Sequence, residues 1–237
     1  MIKNKKLLFA LSMAFLCTMA VLGVLLQTCQ DEIPFNIRYT AVVAACLFCV
    51  LFAEKSLSFV FTQLALLCTV GADYFLVYRT DMRQLPAMLF FSAVQIAYFL
   101  RLYFEDDSKT RRKVHLILRV VLSLTVLGVT IAVLGKNSDA VALVSMFYYA
   151  NLILNAVFAF TSIKKNPMFA IGLALFILCD TVIGLSLIDT YLPIAENSFI
   201  YKIINPGFDL AWAFYLPAQT LLALSLRKSS AEKNRKP

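Results

Sequence analysis

The chain has 237 residues, of which 61% are hydrophobic and only 15% are charged, and its mean hydropathy is +0.79. This apolar content far exceeds that of a soluble domain, so it excludes an ordinary soluble enzyme or binding module and predicts an integral membrane protein. Cytoplasmic loops and anionic lipid headgroups explain the formal net charge of +8, so we predict no nucleic-acid partner.

Eight apolar stretches are each long enough to cross a hydrocarbon core of about 30 Å as a helix of about 20 residues. Helices are predicted because lipid leaves no partner for an unpaired backbone group, and because the stretches are too long for barrel strands. They cover about residues 7–26, 37–53, 58–78, 85–104, 114–134, 141–162, 167–188 and 208–226, followed by a short basic tail at 227–237. The first stretch also resembles a signal peptide, but its length favours a retained helix. The predicted fold class is all-α, a single polytopic transmembrane domain over residues 1–237 with its helices in one bundle.

The distribution of basic residues predicts the orientation of this bundle. With the N-terminus inside, most of the 22 Lys and Arg residues fall on the cytoplasmic side, while the outer side holds Arg38, Arg79, Arg83, Lys136 and Lys202. By the positive-inside rule, both termini are then cytoplasmic, and the basic side faces anionic lipids. We predict that the protein resides in the bacterial cytoplasmic membrane.

Two carboxyl groups fall inside apolar helices, where an ionisable residue costs about 2.5–3.5 kcal/mol and suggests a functional site. Asp73 lies in TVGADYFLVY of the third helix, and Asp180 lies in FILCDTVIG of the seventh. Both helices run outward, and each Asp lies about 20 Å along its helix, in the outer half of the membrane. Because no Lys, Arg or His is predicted at that depth, we predict that the two Asp residues are catalytic.

Uncharged polar residues fall at a neighbouring depth on three other helices. Spacings of three or four residues place them on one face of each helix. They are Gln95 and Tyr98 in the fourth helix, Tyr148, Asn151 and Asn155 in the sixth, and Tyr215 and Gln219 in the eighth. We predict that these side chains orient the substrate. The alternative is that the amides are interhelical contacts worth about 0.6–2 kcal/mol each.

The two Asp residues suggest acid-base chemistry. An apolar site favours the protonated form of a carboxyl group, and a second carboxylate nearby favours it further, so one Asp can stay protonated while the other is ionised. A metal site is not predicted, because the only histidine, His115, begins the fifth helix far from both Asp residues. No cofactor is predicted, since the chain has no nucleotide-binding loop and no serine-hydrolase motif.

Four stretches of the chain carry a resemblance to a known family: GADYFLVY, MLFFSAVQIAYFLRLYF, GLALFILCDTVIGLS and WAFYLPAQTLLALS. From about residue 58 onward, the chain resembles the YhhN-type family of lysoplasmalogenase-like membrane proteins. The resemblance implies eight helices and hydrolysis of the vinyl ether bond of a lysoplasmalogen. It matches Asp73, Asp180, Tyr215 and Gln219 to family motifs. Many members have His three residues before Tyr, whereas this chain has Gln95 at that position, so imidazole chemistry is not available there.

The residues and the resemblance together predict a membrane-embedded hydrolase of the lysoplasmalogenase type. Its substrate would be a lysophospholipid, and its products would be a fatty aldehyde and a glycerophospho-headgroup. One alternative is a transporter of lipids or small solutes with a polar site at the midplane, because the order Asp then Gln in helices 3 and 4 recurs in helices 7 and 8. The other alternative is a non-catalytic membrane member of the family.

Overall fold

Helices make up nearly all of the described chain in the computed structural model. The structure describes residues 5–29, 34–53, 55–79, 83–192, 194–204 and 210–226. Within these ranges it has helices and turns but no strand. The predicted basic tail at 227–237 lies outside the described residues. The prediction of an all-α protein is therefore confirmed for the part of the chain that is described.

Nine α-helices are present in the described ranges. They are α1 (Lys5–Thr28), α2 (Phe35–Phe52), α3 (Leu57–Asp73), α4 (Gln84–Glu105), α5 (Lys109–Leu134), α6 (Ala140–Thr161), α7 (Pro167–Leu187), α8 (Phe199–Ile204) and α9 (Ala211–Leu224). A π-helix (Tyr74–Tyr78) continues α3, and short 3₁₀ turns follow α5 and α7. The short α8 lies in a stretch that was predicted to be a loop.

Six of these helices are long and apolar enough to cross a membrane. They are α1, α3 with its π-helix, α4, α5 with its 3₁₀ turn, α6 and α7. The apolar parts of α2 and α9, Asn36–Leu51 and Ala211–Leu224, are shorter. At about 1.5 Å per residue, α9 is about 20 Å long, less than the hydrocarbon core. The protein is thus a multi-pass helical membrane protein, and eight spans remain a prediction.

Side-chain caps mark where several helices begin. Ser56, Ser108 and Asp139 each accept a hydrogen bond from a backbone N–H in the first turn of the following helix. Such caps satisfy amide groups that a helix start leaves without a partner. The cap at Ser108 explains why α5 begins at Lys109 rather than at the predicted residue 114, since the basic run KTRRK forms its first turns. Helix α5 ends at Leu134, and the next residue, Gly135, has a φ of 53°, which favours glycine.

The packing places α4 and α9 in the interior of the bundle. Helix α4 packs against α3 and α6, and α9 packs against α7 and α1. Gly23 permits the contact between α1 and α9, because a Cβ there would lie 2.6 Å from the backbone oxygen of Trp212. At the same contact, Gln27 accepts a 2.9 Å hydrogen bond from the Trp212 N–H. These contacts hold the start of α9 next to the interior carboxyl groups described below.

Candidate functional site

Asp73 lies at the point where α3 changes from an α-helix to a π-helix. Its side chain is buried at 2% exposure, and its Oδ2 accepts a 2.6 Å hydrogen bond from the hydroxyl of Tyr215 on α9. The wider turn continues to Tyr78, and the Arg79 N–H bonds to the Tyr74 carbonyl. Such π-helical turns are rare and occur frequently at functional sites. The turn therefore marks Asp73 independently of its charge.

Asp180 is held in the same manner from a different pair of helices. Its half-buried side chain on α7 accepts a hydrogen bond from the hydroxyl of Tyr148 on α6. One residue further along both helices, the Tyr149 hydroxyl and Thr181 Oγ1 lie 2.6 Å apart. Two adjacent polar contacts thus fix α6 against α7 at the level of the carboxyl group.

Aromatic rings connect the two Asp–Tyr pairs. The ring of Tyr148 lies 5.5 Å from that of Phe91, which lies 6.0 Å from Phe176, and Phe176 lies 5.7 Å from Tyr215. Among the described residues, neither Asp contacts a Lys, Arg or His side chain. Both Asp–Tyr pairs thus adjoin one continuous aromatic cluster, and a catalytic role for the two Asp residues stays a prediction.

A second polar group joins α4 to α6. The Asn155 side-chain N–H₂ donates to the Gln95 side-chain oxygen at 3.0 Å and to the Gln95 backbone carbonyl at 2.9 Å. Both residues are fully buried. The side-chain nitrogen of Gln95 has no hydrogen-bond partner among the described residues. Gln95 and Asn155 therefore hydrogen-bond to each other between α4 and α6, as expected if buried amides serve as interhelical contacts. The side-chain N–H₂ of Gln95 is not used in this contact.

Arg119 on α5 also contacts this polar group. It was not predicted from the sequence as a site residue. Its guanidinium donates to the side-chain oxygens of Asn151 and Asn155, the latter at 2.5 Å. It also lies 3.3 Å from Nε2 of His115, which stacks on Phe158 with a ring separation of 3.6 Å. Arg119 was assigned to the basic cytoplasmic side, yet it is only 9% exposed. The available signal was the spacing of four residues between His115 and Arg119, which places both on one face of an otherwise apolar helix.

Two predicted site residues make no polar contact in the described part of the chain. Tyr98 is fully buried with its ring 5.4 Å from Phe169, and its hydroxyl has no partner there. Gln219 is fully buried one helical turn after Tyr215, and neither atom of its amide is partnered. Buried polar groups are usually hydrogen-bonded. The Tyr98 hydroxyl and the Gln219 amide are therefore able to bind a polar group of a ligand. Their predicted role in orienting a substrate stays a prediction.

A buried cation far from the Asp pair has a different environment. Arg101 on α4 is 1% exposed and forms a 3.1 Å ion pair with Glu105. It also donates to Thr62 Oγ1 at 2.9 Å and to Ser225 Oγ at 2.6 Å. Arg101 therefore joins α4 to the start of α3 and the end of α9, and its charge is compensated. In the described ranges, no cluster of three or more His, Cys, Asp or Glu side chains is placed to hold a metal ion.

Membrane-length apolar helices around one buried and one half-buried carboxyl group define the class of this protein, a multi-pass integral membrane protein with an interior polar site. More specifically, the chain belongs to the YhhN family, whose family model matches residues 35–226. That match contains every residue predicted for the site and confirms the predicted family. No curated protein and no solved structure matches the chain.

Proposed function

We propose that this protein is a membrane-embedded hydrolase of the lysoplasmalogenase type, which cleaves the vinyl ether bond of a lysophospholipid. The observation that supports this proposal best is the pair of Asp residues, each bonded to a Tyr hydroxyl and connected by aromatic rings. Membership of the YhhN family agrees with a membrane protein of this kind. A carboxyl pair in an apolar interior suits chemistry that needs an acid and a base together.

The proposed reaction uses both carboxyl groups. The protonated Asp donates its proton to the vinyl carbon that is not bonded to oxygen, which leaves a positive charge shared between the other vinyl carbon and the ether oxygen. The ionised Asp stabilises this cation and accepts a proton from the water that adds to it. The resulting hemiacetal then breaks its bond to the glycerol oxygen, which takes the proton now held by the second Asp, while the hemiacetal hydroxyl gives its proton to the first Asp, so both carboxyl groups return to their starting states. One water is consumed, and a fatty aldehyde and a glycerophospho-headgroup leave.

The surroundings of the pair suit a lipid substrate. Phe91 and Phe176 offer apolar surface for the alkenyl chain between the two Asp–Tyr pairs. Gln95, Tyr98 and Gln219 carry polar atoms that no described residue satisfies, so they can bind the glycerol oxygens or the attacking water. Tyr148 and Tyr215 are placed to hold the orientation of the two carboxyl groups.

The proposal includes the topology of the chain. We propose that α2 and α9 also cross the membrane, giving eight spans with both termini on the cytoplasmic side of a bacterial membrane that carries anionic lipids. Single cysteines introduced at Lys136 and Lys165, in a variant whose six native cysteines are replaced by Ala or Ser, test this arrangement. On this topology, an impermeant thiol reagent added outside labels the first position and leaves the second unlabelled, and the reverse pattern contradicts it.

The function is tested with purified protein in detergent and a lysoplasmalogen, by measuring release of aldehyde. Asp73→Asn and Asp180→Asn should each lower the rate by at least about 10²-fold, the usual scale for loss of acid or base catalysis. Asp107→Asn is the matched control, because Asp107 is 98% exposed and pairs only with an exposed Lys165 among the described residues. Normal turnover by both interior variants contradicts the proposal.

Transport of a lipid or small solute is the second candidate. The polar atoms of Gln95 and Gln219 that lack partners in the described interior favour it, since a transported polar group needs such contacts. Uptake into vesicles that depends on Gln219 and occurs without lipid breakdown distinguishes transport from hydrolysis.

A further inference from the structure

Arg119 is a buried cation that contacts no carboxylate in the described part of the chain. Its guanidinium bonds to the side chains of Asn151, Asn155 and His115 and lies 4.3 Å from the centre of the Phe99 ring. Two of these partners are neutral amides, one is an imidazole and one is an aromatic ring. None of these contacts supplies a negative charge to Arg119. By contrast, Glu105 compensates the charge of Arg101 elsewhere in the bundle.

The position of Arg119 on α5 makes this charge costly. Helix α5 is a peripheral, mostly exposed apolar helix whose buried residues are His115, Arg119 and Thr130. Arg119 lies about 15 Å from the start of the helix at Lys109, where a charge costs about 2.5–3.5 kcal/mol. A neutral side chain can join α5 to α6 without that cost. An uncompensated guanidinium in a low-dielectric interior instead attracts an anion, and its planar donors match the oxygens of a phosphate.

The spacing along α6 between the partners of Arg119 and the partner of Asp180 matches the length of a lysophospholipid substrate. Arg119 bonds to Asn151 and Asn155, which lie about 4.5 Å and 10.5 Å along α6 from Tyr148, the residue that holds Asp180. In a lysoplasmalogen, six bonds separate the vinyl ether carbon from phosphorus, which is about 7 Å in an extended chain. A vinyl ether placed at the Asp pair therefore positions its own phosphate at the level of Arg119.

A pocket lies next to this region, at the end of the bundle where α4 ends and α5 begins. His115 lines the pocket together with Phe158, Arg111, Glu105 and Lys165. Because His115 also contacts Arg119, the pocket approaches Arg119 from the side opposite the Asp pair. Its opening carries both cationic and anionic side chains, a composition that suits a zwitterionic headgroup.

We propose that Arg119, together with His115, binds the phosphate group of the lysophospholipid substrate. The inference rests on the proposed function for the identity of the lipid. On this proposal, the substrate must carry a phosphate group. The Asp pair alone would accept a vinyl ether without one. Arg119 then recognises the headgroup while Asp73 and Asp180 act on the ether.

The test measures binding, with lipids that the enzyme cannot cleave. A saturated 1-O-alkyl lysophosphatidylethanolamine is compared with the 1-O-alkylglycerol of the same chain, which lacks the phosphate. We expect the wild-type protein to bind the phosphate-bearing lipid at least about 10-fold more tightly, the scale of charge-assisted hydrogen bonds. Arg119→Gln should abolish this preference. Lys113→Gln, which removes an equal charge from an exposed position on α5, should retain it.

The possible results separate this inference from the proposed function. A wild-type protein that does not distinguish the two lipids overturns the role of Arg119, as does a folded Arg119→Gln variant that keeps the preference and is altered only in thermal stability. Arg119→Lys keeps the charge without the planar donors, so it should retain a reduced preference, and it decides the matter if Arg119→Gln does not fold. A preference that depends on Arg119 in a protein that releases no aldehyde supports the phosphate site and contradicts the hydrolase.

Discussion

The hydroxyl of Tyr215 donates a 2.6 Å hydrogen bond to the carboxylate of Asp73, across 142 positions of sequence. The bond joins the start of α9 to the point where α3 becomes a π-helix. Since both side chains are buried, the contact fixes the orientation of the Asp73 carboxyl group. The counterpart on α6 and α7 joins Tyr148 to Asp180. Each carboxyl group is thus positioned by a helix other than its own.

Removal of the Tyr215 hydroxyl tests whether this orientation matters for activity. Tyr215→Phe keeps the ring against Phe176 but deletes the donor. A hydrogen bond to a charged group contributes about 1.5–3 kcal/mol, so aldehyde release should fall by about 10-fold or more. Tyr78→Phe is the control, since Tyr78 is 49% exposed and packs on aromatic rings. Equal rates for both variants would show that the hydroxyl has no role in catalysis.

The close contact between α1 and α9 predicts a stability effect at Gly23. In Gly23→Ala, the new Cβ would lie 2.6 Å from the backbone oxygen of Trp212, so one helix must shift. We expect a loss of about 1–3 kcal/mol, as for other overpacked sites. Gly128→Ala on α5 is the matched control, because no atom lies within 4 Å of the position that its new Cβ would take. It should be neutral or slightly stabilising, as helix propensity predicts.

Thermal or denaturant unfolding in detergent distinguishes the two glycine variants. A Gly23→Ala protein as stable as Gly128→Ala would mean that α1 can move away from α9 at no cost. Because the same contact holds the start of α9 near Asp73, we also expect Gly23→Ala to reduce activity in the fraction that remains folded.

The environment of Arg101 predicts a structural effect that differs from that of Arg119. Arg101→Gln removes the ion pair with Glu105 and the bonds to Thr62 and Ser225. We expect it to lower the free energy of unfolding by at least about 1–3 kcal/mol, because buried partners lose their hydrogen bonds. Lys165→Gln is the control, since its pair with Asp107 is exposed and should contribute no more than about 1 kcal/mol.

The Arg101→Gln variant is also tested for binding of the phosphate-bearing ether lipid. The folded variant should retain its preference over the alkylglycerol, since Arg101 is compensated by Glu105 and contacts neither Asn151 nor Asn155. Loss of that preference would mean that Arg101, rather than Arg119, governs recognition of the headgroup.

Hydropathy predicted the positions of the helices to within a few residues along most of the chain. Helices α4, α6 and α7 begin and end close to the predicted ranges of 85–104, 141–162 and 167–188. The early start of α5 was missed, because a basic helical turn has the same hydropathy as a basic loop. The prediction for α2, 37–53, matches its observed length, whereas α9 is shorter than the predicted range of 208–226, since a hydropathy pattern does not show where a buried apolar segment stops being helical.

The candidate site was predicted as a set of residues but not as a set of contacts. Asp73 and Asp180 were recognised from the cost of a carboxyl group in lipid. Their bonds to Tyr215 and Tyr148 depend on how helices distant in sequence are rotated and packed. Arg119 was missed for a related reason: a basic residue near a helix start is typical of the cytoplasmic side, and only its neighbours on α6 show that it points inward.

The sequence by itself determined that this protein is helical, lies in a membrane and carries two carboxyl groups among apolar residues. These properties depend on residues close together in the chain, because each side chain makes its own contribution to the free energy of transferring a helix into lipid. The tertiary structure decided which helix supplies the partner of each Asp, which amides bind each other, and that Arg119 lies beside Asn151 without a carboxylate among the described residues. Those contacts join positions far apart in sequence and follow from the packing of whole helices.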